Sequence, residues 1–119
     1  MLGFVRVRGK IWKVGDPNRF RIVEFLVDTG AIYTVLPSSL LEELGVERKG
    51  KRRFKLADGR IVVRDIGFIG IEVNGRESIS IVVFGDENVY LLGVTALEEL
   101  GFEVDPISGR LREMELLLM

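Results

Sequence analysis

The chain has 119 residues, 47% of them hydrophobic, which predicts one folded domain with its own core and excludes a disordered chain. Seventeen Lys and Arg nearly balance eighteen Asp and Glu, so charge gives no general indication of nucleic acid or an anionic membrane as a partner. Cysteine and histidine are both absent, which excludes disulfides, thiol nucleophiles, Ser-His-Asp or Cys-His catalysis and His-based zinc sites. Carboxylates are therefore the leading candidates for any acid–base chemistry.

The beginning of the sequence and its apolar runs bear on location. Residues Met1–Arg8 alternate apolar and charged side chains, unlike the apolar centre of a signal peptide. The chain has no run of about 18 apolar residues that could span a bilayer. We therefore expect a soluble, cytoplasmic protein with no membrane partner.

Most of the chain is predicted to form short strands. Apolar and partly β-branched segments are separated by turn signals, first Gly15–Asn18 and later Asn74-Gly75, a pair typical of two-residue hairpins. The predicted strand segments are, in chain order, 4–7 and 11–14, then 20–27, 60–73 and 79–84. With fourteen glycines, this pattern predicts a single all-β (mainly β) domain over residues 1–119, with a closed sheet.

Two similar segments, Ser39–Gly45 and Thr95–Gly101, are predicted to be short helices. Each opens with a capping box, Ser39 with Glu42 and Thr95 with Glu98, and each ends at a glycine suited to the left-handed position after a helix. Each is taken to follow an apolar strand end, 25–28 in the first case and 90–93 in the second. They are either two ordinary capped helices or the halves of an internal pseudo-repeat about an approximate two-fold axis.

A local excess of positive charge departs from the overall balance. It consists of Arg48, Lys49, Lys51, Arg52, Arg53 and Lys55. Such a run is usually a solvated loop and the start of a strand, and this is the interpretation we favour. The alternative is a surface for RNA or for an acidic substrate. No nucleic-acid partner is expected.

Asp28 is the strongest candidate for chemistry. It ends a strongly apolar segment, so its carboxylate is expected at the edge of the core. Thr29 can donate and accept a hydrogen bond through its hydroxyl, and Gly30 allows a sharp turn that brings its amide close to the carboxylate. The alternative is a plain turn, since Asp and Gly are common after strands.

The context of Asp28 resembles a known family. The run Phe25–Ala31, followed far downstream by Leu91-Leu92-Gly93 and a helix, is similar to the retroviral-type (retropepsin) aspartic proteases. In that family an apolar strand carries Asp-Thr/Ser-Gly, and a second motif of two apolar residues and a glycine passes beneath the active-site loop. The resemblance extends over almost the whole chain. It implies a closed retropepsin-like acid-protease barrel with one or two short helices and one lobe per chain.

The resemblance also implies roles for the residues of the active-site loop. Asp28 matches the catalytic aspartate, and Thr29 matches the residue whose hydroxyl bonds across the dimer axis to the partner's loop. Gly30 would place its carbonyl against the bound peptide. Ala31 completes the loop where many relatives have a Ser or Thr that donates to the aspartate, so a milder, less acidic pH optimum is expected than in the two-domain pepsins. The family's acidic or amide substrate-gripping residues are not evident in 31–33.

Further positions match the substrate-binding and dimer-forming parts of the family. The segment 56–61 falls where the flap lies, with Ala57, Asp58 and Gly59 at or near its tip. Val89 and Leu91 match positions that line the side-chain pocket. The terminal segments 1–7 and 112–119 match strands that interleave in a dimer sheet. For the apolar residues 114–119, an ordinary core strand is the alternative to an interface strand.

Only one Asp-Thr-Gly is present, although the aspartic protease reaction needs two carboxylates that share one proton. We therefore expect a homodimer that cleaves an extended peptide or protein substrate, with each chain supplying one Asp28 and no metal or organic cofactor. Two alternatives stay open. One is a catalytically silent dimeric module of the same fold that binds a peptide or partner, and the other is a small β-barrel that binds RNA through 48–55.

Overall fold

The computed structural model describes residues 5–119, which form mainly strands, with two short helices. The all-β prediction is therefore confirmed. The elements are, in chain order, β1 Arg6–Lys13, β2 Phe20–Val27, β3 Thr34–Pro37, α1 Ser38–Leu44, β4 Gly50–Lys55, β5 Ile61–Val73, β6 Arg76–Gly85, β7 Leu91–Leu92, α2 Val94–Leu100, β8 Phe102–Val104 and β9 Leu111–Glu113.

Six strands form a closed ring. The sheet order is β1-β2-β7-β3-β6-β5-β4, and β1 also pairs with β5, which joins the two ends. The long strand β5 makes this possible, because residues 69–73 pair with β1 while residues 61–66 pair with β4. The first half of β5 and β4 thus extend from the ring as a hairpin.

The predicted turns are found where the sequence indicates them. Between β1 and β2, the Asp16 amide donates to the Lys13 carbonyl at 2.9 Å. Between β5 and β6, Asn74 and Gly75 both have positive φ, 51° and 83°, and Val73 faces Arg76 across a two-residue loop. These angles are those that the tight hairpin turn requires, and glycine and asparagine adopt them most readily.

The core fills the ring and continues under both helices. Ile11, Ile69 and Ile71 are fully buried inside the ring. The helices contribute side chains at matching positions, Leu40, Leu41 and Leu44 from α1 and Ala96, Leu97 and Leu100 from α2. Helices of seven residues are not stable alone in water, so burial of these apolar faces holds them in place.

The helix ends agree with the sequence prediction at one terminus and differ at the other. Gly45 and Gly101 adopt the left-handed conformation with φ of 80° and 79°, as predicted. The predicted capping boxes are wrong, because the residues before the helices are Pro37 and Gly93 and no side chain caps either helix. Ser39 lies inside α1, and its hydroxyl instead donates to the Glu87 carboxylate at 2.7 Å.

Strand β3 was not predicted, and α1 follows it directly rather than following the strand that leads to Asp28. The basic run is a loop and the start of a strand, as expected, because Arg48 and Lys49 precede β4 and the other four cations lie in it. Strand β9 ends at Glu113, and residues 114–119 form no strand in the single chain, which contradicts the alternative of an ordinary core strand. Of the predicted N-terminal interface segment 1–7, residues 1–4 lie outside the described part.

Among the helices of residues 5–119, none is long and apolar enough to cross a membrane.

Candidate active site

The loop after β2 holds the Asp28 carboxylate in a defined orientation. Oδ1 of Asp28 accepts the Gly30 amide N–H at 2.9 Å, and the Ala31 amide donates to the Asp28 carbonyl at 3.1 Å. The side chain is half-buried. The chain therefore turns at Gly30 and brings the Gly30 amide to the Asp28 carboxylate, as the sequence predicts.

Strand β7 supports this loop from beneath. It runs parallel to the end of β2, and the Asp28 amide donates to the Leu92 carbonyl at 3.0 Å. The next residue, Gly93, crosses the chain that leaves the loop. A Cβ on Gly93 would lie 2.6 Å from the Tyr33 carbonyl oxygen and 2.8 Å from the Thr34 nitrogen, so a larger residue does not fit.

Thr34 fixes the crossing and was not identified from the sequence. It is fully buried, and its Oγ1 accepts the Gly93 amide N–H at 3.2 Å. Without this acceptor a buried backbone donor would be left unpaired. The available signal was a single threonine in the otherwise apolar run 31–37, just after the Asp-Thr-Gly loop.

Helix α2 is capped by the active-site loop itself. The Val94 and Thr95 amides donate to the carbonyls of Ala31 and Ile32 at 2.8 and 3.0 Å. These are amides of the first helical turn, which have no partner within the helix. The backbone of the Asp28 loop therefore takes the place of the predicted Thr95 cap, and these hydrogen bonds fasten the loop to the helix.

The segment 56–61, where the resemblance implies a flap, is the end of the hairpin of β4 and β5. Its tip is the three-residue loop Ala57–Gly59, closed by a hydrogen bond from the Leu56 amide to the Arg60 carbonyl at 2.8 Å. Gly59 has φ of 90°, and the Asp58 carboxylate pairs with Arg60 at 2.7 Å. A loop of this length with a left-handed glycine is a common hairpin connection.

A groove of about 550 Å³ separates this hairpin from the Asp28 loop. One wall is apolar and includes the rings of Tyr33 and Phe54, which meet edge to face with centroids 6.2 Å apart. The lining residues are Asp28, Gly30–Tyr33, Val35, Phe54–Ala57, Val62, Arg64, Val83, Gly85, Asp86 and Val89. The groove thus has one carboxylate at its active-site loop and mostly apolar walls.

The structure brings five of the predicted site residues together on this groove and separates the other four from it. Asp28, Gly30, Ala31, Ala57 and Val89 line it, whereas Thr29, Asp58 and Gly59 are exposed outside its lining. Leu91 lines a second cavity, of about 790 Å³, which it shares with Val89. The other lining residues were not identified as site residues from the sequence; those with aromatic, charged or apolar side chains include Tyr33, Phe54, Val62, Arg64 and Asp86.

The other carboxylates of the chain differ from Asp28 in their surroundings. Asp86 also lines the groove, but its side chain is 80% exposed and lies 3.8 Å from Arg64. Asp58 pairs with Arg60, and Asp65 pairs with both Arg48 and Lys51. Within residues 5–119, no three carboxylates come close enough to hold a metal ion.

Comparison with known proteins agrees with this geometry. Residues 18–99 match the family described as "gag-polyprotein putative aspartyl protease". The matched segment contains the Asp28 loop, the whole hairpin of β4 and β5, and β7 with most of α2. No curated protein matches the sequence. Because the match covers well over half of the chain, the protein belongs to the gag-polyprotein aspartyl protease family.

Proposed function

We propose that the protein is a homodimeric aspartic endopeptidase in which the Asp28 carboxylates of two chains form one catalytic pair. The observation that carries the proposal is the Asp28 loop, which presents one carboxylate, held by the Gly30 amide, to a groove under a hairpin. One carboxylate cannot act as base and acid at once. Two carboxylates related by a two-fold axis can divide these roles, one acting as the base and the other as the acid.

The proposed mechanism follows from the proximity of the two acids. Carboxylates about 3 Å apart cannot both ionise, so the pair shares one proton. The ionised Asp28 takes a proton from a water molecule, which attacks the scissile carbonyl. The protonated Asp28 of the other chain donates a hydrogen bond to the developing oxyanion and then helps to protonate the leaving amine.

The substrate is proposed to bind in the groove as an extended peptide. The flap covers it from one side and the Asp28 loop supports it from the other, so backbone groups on both sides can pair with it as an added strand. Apolar walls formed by Tyr33, Phe54 and Val62 favour apolar side chains next to the scissile bond. Thr29 is proposed to bond across the dimer axis.

Exposed apolar surface at the C-terminal end supports the dimer. Leu117 and Leu118 are 93% and 94% exposed in the single chain. Exposure of two adjacent leucines to water is thermodynamically unfavourable, and an interface between chains would bury them. Thr29 is exposed as well, as a residue that meets a partner copy must be.

A mixing experiment tests the shared site directly. Asp28→Asn chains should be inactive on a peptide pool. Wild type re-equilibrated with an equal amount of them should lose about half of its activity, because half of the wild-type chains then sit in mixed dimers. Full activity in the mixture would show that each chain works alone.

Asp86→Asn is the matched control, since Asp86 is the other carboxylate on the groove. It should retain cleavage within about tenfold of wild type, as expected for an acid outside the catalytic pair. Cleavage that disappears with Asp86→Asn would assign the second acid to the same chain. Equal, background-level cleavage by wild type and Asp28→Asn would favour a peptide-binding module without catalysis.

A further inference from the structure

Two arginines face each other directly across the flap hairpin. In the register of β4 and β5, Arg52 is opposite Arg64, and the next pair on the same face is Phe54 opposite Val62. Phe54, Val62 and Arg64 all line the groove, so this is the groove face of the hairpin; Arg52 shares this face and lies just beyond the groove lining. Like charges at directly opposed positions destabilise a sheet, and an unexplained pair of this kind suggests a missing anion.

On the opposite face of the hairpin, a carboxylate pairs with two cations. There Lys51 is opposite Asp65, and the two form an ion pair of 2.7 Å. The same carboxylate also pairs with Arg48 at 2.6 Å. The sequence thus places an acid between the cations on the outer face. It places none at the equivalent position on the groove face.

Neither groove-face arginine has a close carboxylate partner within residues 5–119. Arg52 donates to the carbonyl of its neighbour Lys51 at 3.1 Å, and Arg64 donates to the Val63 carbonyl at 3.1 Å. The nearest acid to Arg64 is Asp86, at 3.8 Å and mostly exposed. A contact this long and this exposed to solvent contributes little, so the pair keeps a net positive charge.

We propose that Arg52 and Arg64 form a specificity subsite that binds an acidic side chain of the substrate. The inference rests on the proposed function and names its substrate class: peptides with Asp or Glu beside an apolar segment. Two guanidinium groups on one face can bind a carboxylate through charge-assisted hydrogen bonds. The apolar neighbours Phe54 and Val62 place this subsite next to the part of the groove that takes apolar side chains.

The proposed dimer doubles the subsite. A two-fold axis through the Asp28 pair would place one arginine pair on each flap, at both ends of the shared groove. The favoured substrate therefore carries an acidic residue on each side of the scissile bond, with apolar residues between them. This arrangement would restrict cleavage to a small set of sequences.

The test uses matched peptides that differ only by Glu or Gln at the flanking positions. At low ionic strength, wild type should prefer the Glu peptide by roughly tenfold in kcat/KM, and the preference should shrink at 1 M salt, where the Debye length is about 3 Å. Arg52→Ala with Arg64→Ala should abolish the preference while cleavage of the Gln peptide persists. Arg53→Ala is the control, because Arg53 lies on the same strand but on the outer face, opposite Val63.

The outcomes separate this inference from the proposed function. Cleavage of both peptides at equal rates by wild type would overturn the acidic subsite and leave the protease intact. A preference that survives in the double variant, or that Arg53→Ala also removes, would likewise overturn it. Binding of the same peptides to Asp28→Asn, measured by fluorescence anisotropy, decides the matter if wild type cleaves neither: tighter binding of the Glu peptide supports the subsite, and equal binding rejects it.

Discussion

At Gly93 one added methyl group decides whether the active-site loop can form. The loop leaves Asp28 and crosses over this residue so closely that a Cβ would lie 2.6 Å from the Tyr33 carbonyl oxygen. Backbone atoms on both chain segments are held by hydrogen bonds, so neither can move away easily. The predicted motif of two apolar residues and a glycine therefore has a steric explanation in this chain.

Gly93→Ala should lower the free energy of unfolding by about 1–3 kcal/mol, the usual cost of inserting a group into packed structure. It should also reduce peptide cleavage by more than its effect on folding explains, because the displaced residues 33–34 continue directly from the Asp28 loop. Gly50→Ala is the control, since its Cβ would meet only Arg52 Nη1, at 3.9 Å. Urea denaturation compares the two; equal stabilities would contradict the steric argument.

Ala31 is the second residue at which a small change has a defined result. It lines the groove beside Asp28 and has no side-chain donor. Ala31→Ser introduces a hydroxyl that can donate to the ionised carboxylate and favour that form. We expect the acid limb of the pH–rate profile to move to lower pH, by up to about one unit. An unmoved limb, or one shifted to higher pH, contradicts this.

At the scale of elements, Asp65 joins three of them. Its carboxylate on β5 pairs with Lys51 on β4 and with Arg48, which in turn pairs with Glu42 on α1 at 2.8 Å. Hydrogen bonds from Lys51 and then Arg48 hold the pKa of Asp65 below its usual value of 3.8. The hairpin of β4 and β5 is thereby tied to the helix that packs on the core.

This depressed pKa predicts a pH dependence of stability with a definite sign. Because the folded state favours the ionised carboxylate, the contribution of Asp65 is fully present above pH 3.8 and is lost as the pH falls through the lower folded value. Asp65→Asn should therefore melt at a lower temperature than wild type near neutral pH, and the difference should disappear in strong acid. A difference in Tm that is constant with pH would exclude the linkage.

The sequence identified the elements whose signals are local. The Asn74-Gly75 hairpin, the turn Gly15–Asn18 and the glycines after both helices each depend on a few adjacent residues. Strand β3 has four residues and ends at a proline, and it exists because it pairs with β6, whose partner residues lie 48 positions away. The predicted cap of α2 failed for the same reason, since the amides of its first turn donate to carbonyls of a loop distant in sequence.

The contrast between local signals and contacts distant in sequence also applies to the site. Asp28 and its loop carry a recognisable tripeptide, so they could be predicted from the sequence. Arg64 and Phe54 reach the groove only because β4 and β5 pair in one particular register. A shift of this register by one residue would place every side chain of the shifted strand on the opposite face. Thr34 lacked any motif, and its importance follows from the crossing at Gly93.

At the scale of the whole molecule, the ring of strands closes without the last residues of the chain. The core cluster and the hydrophobic side chains packed against it come from residues 7–111, and residues 114–119 contribute none of them. The Met114 amide donates to the carbonyl of Gly101, the residue after α2, at 2.9 Å, whereas residues 115–119 are exposed. A segment so apolar and so loosely held is suited to a contact between chains.

Deleting residues 114–119 should therefore leave a folded monomer that cleaves no peptide. Circular dichroism should retain the strand signal, because the core is intact, while light scattering should show the mass of one chain. Ile107→Ser is the control: this isoleucine is 95% exposed outside the deleted segment, so its loss should leave the proposed dimer unchanged. Dilution of the full-length protein should lower its specific activity, because the proposed dimers dissociate. A truncated chain that still has the mass of a dimer would exclude residues 114–119 from the interface.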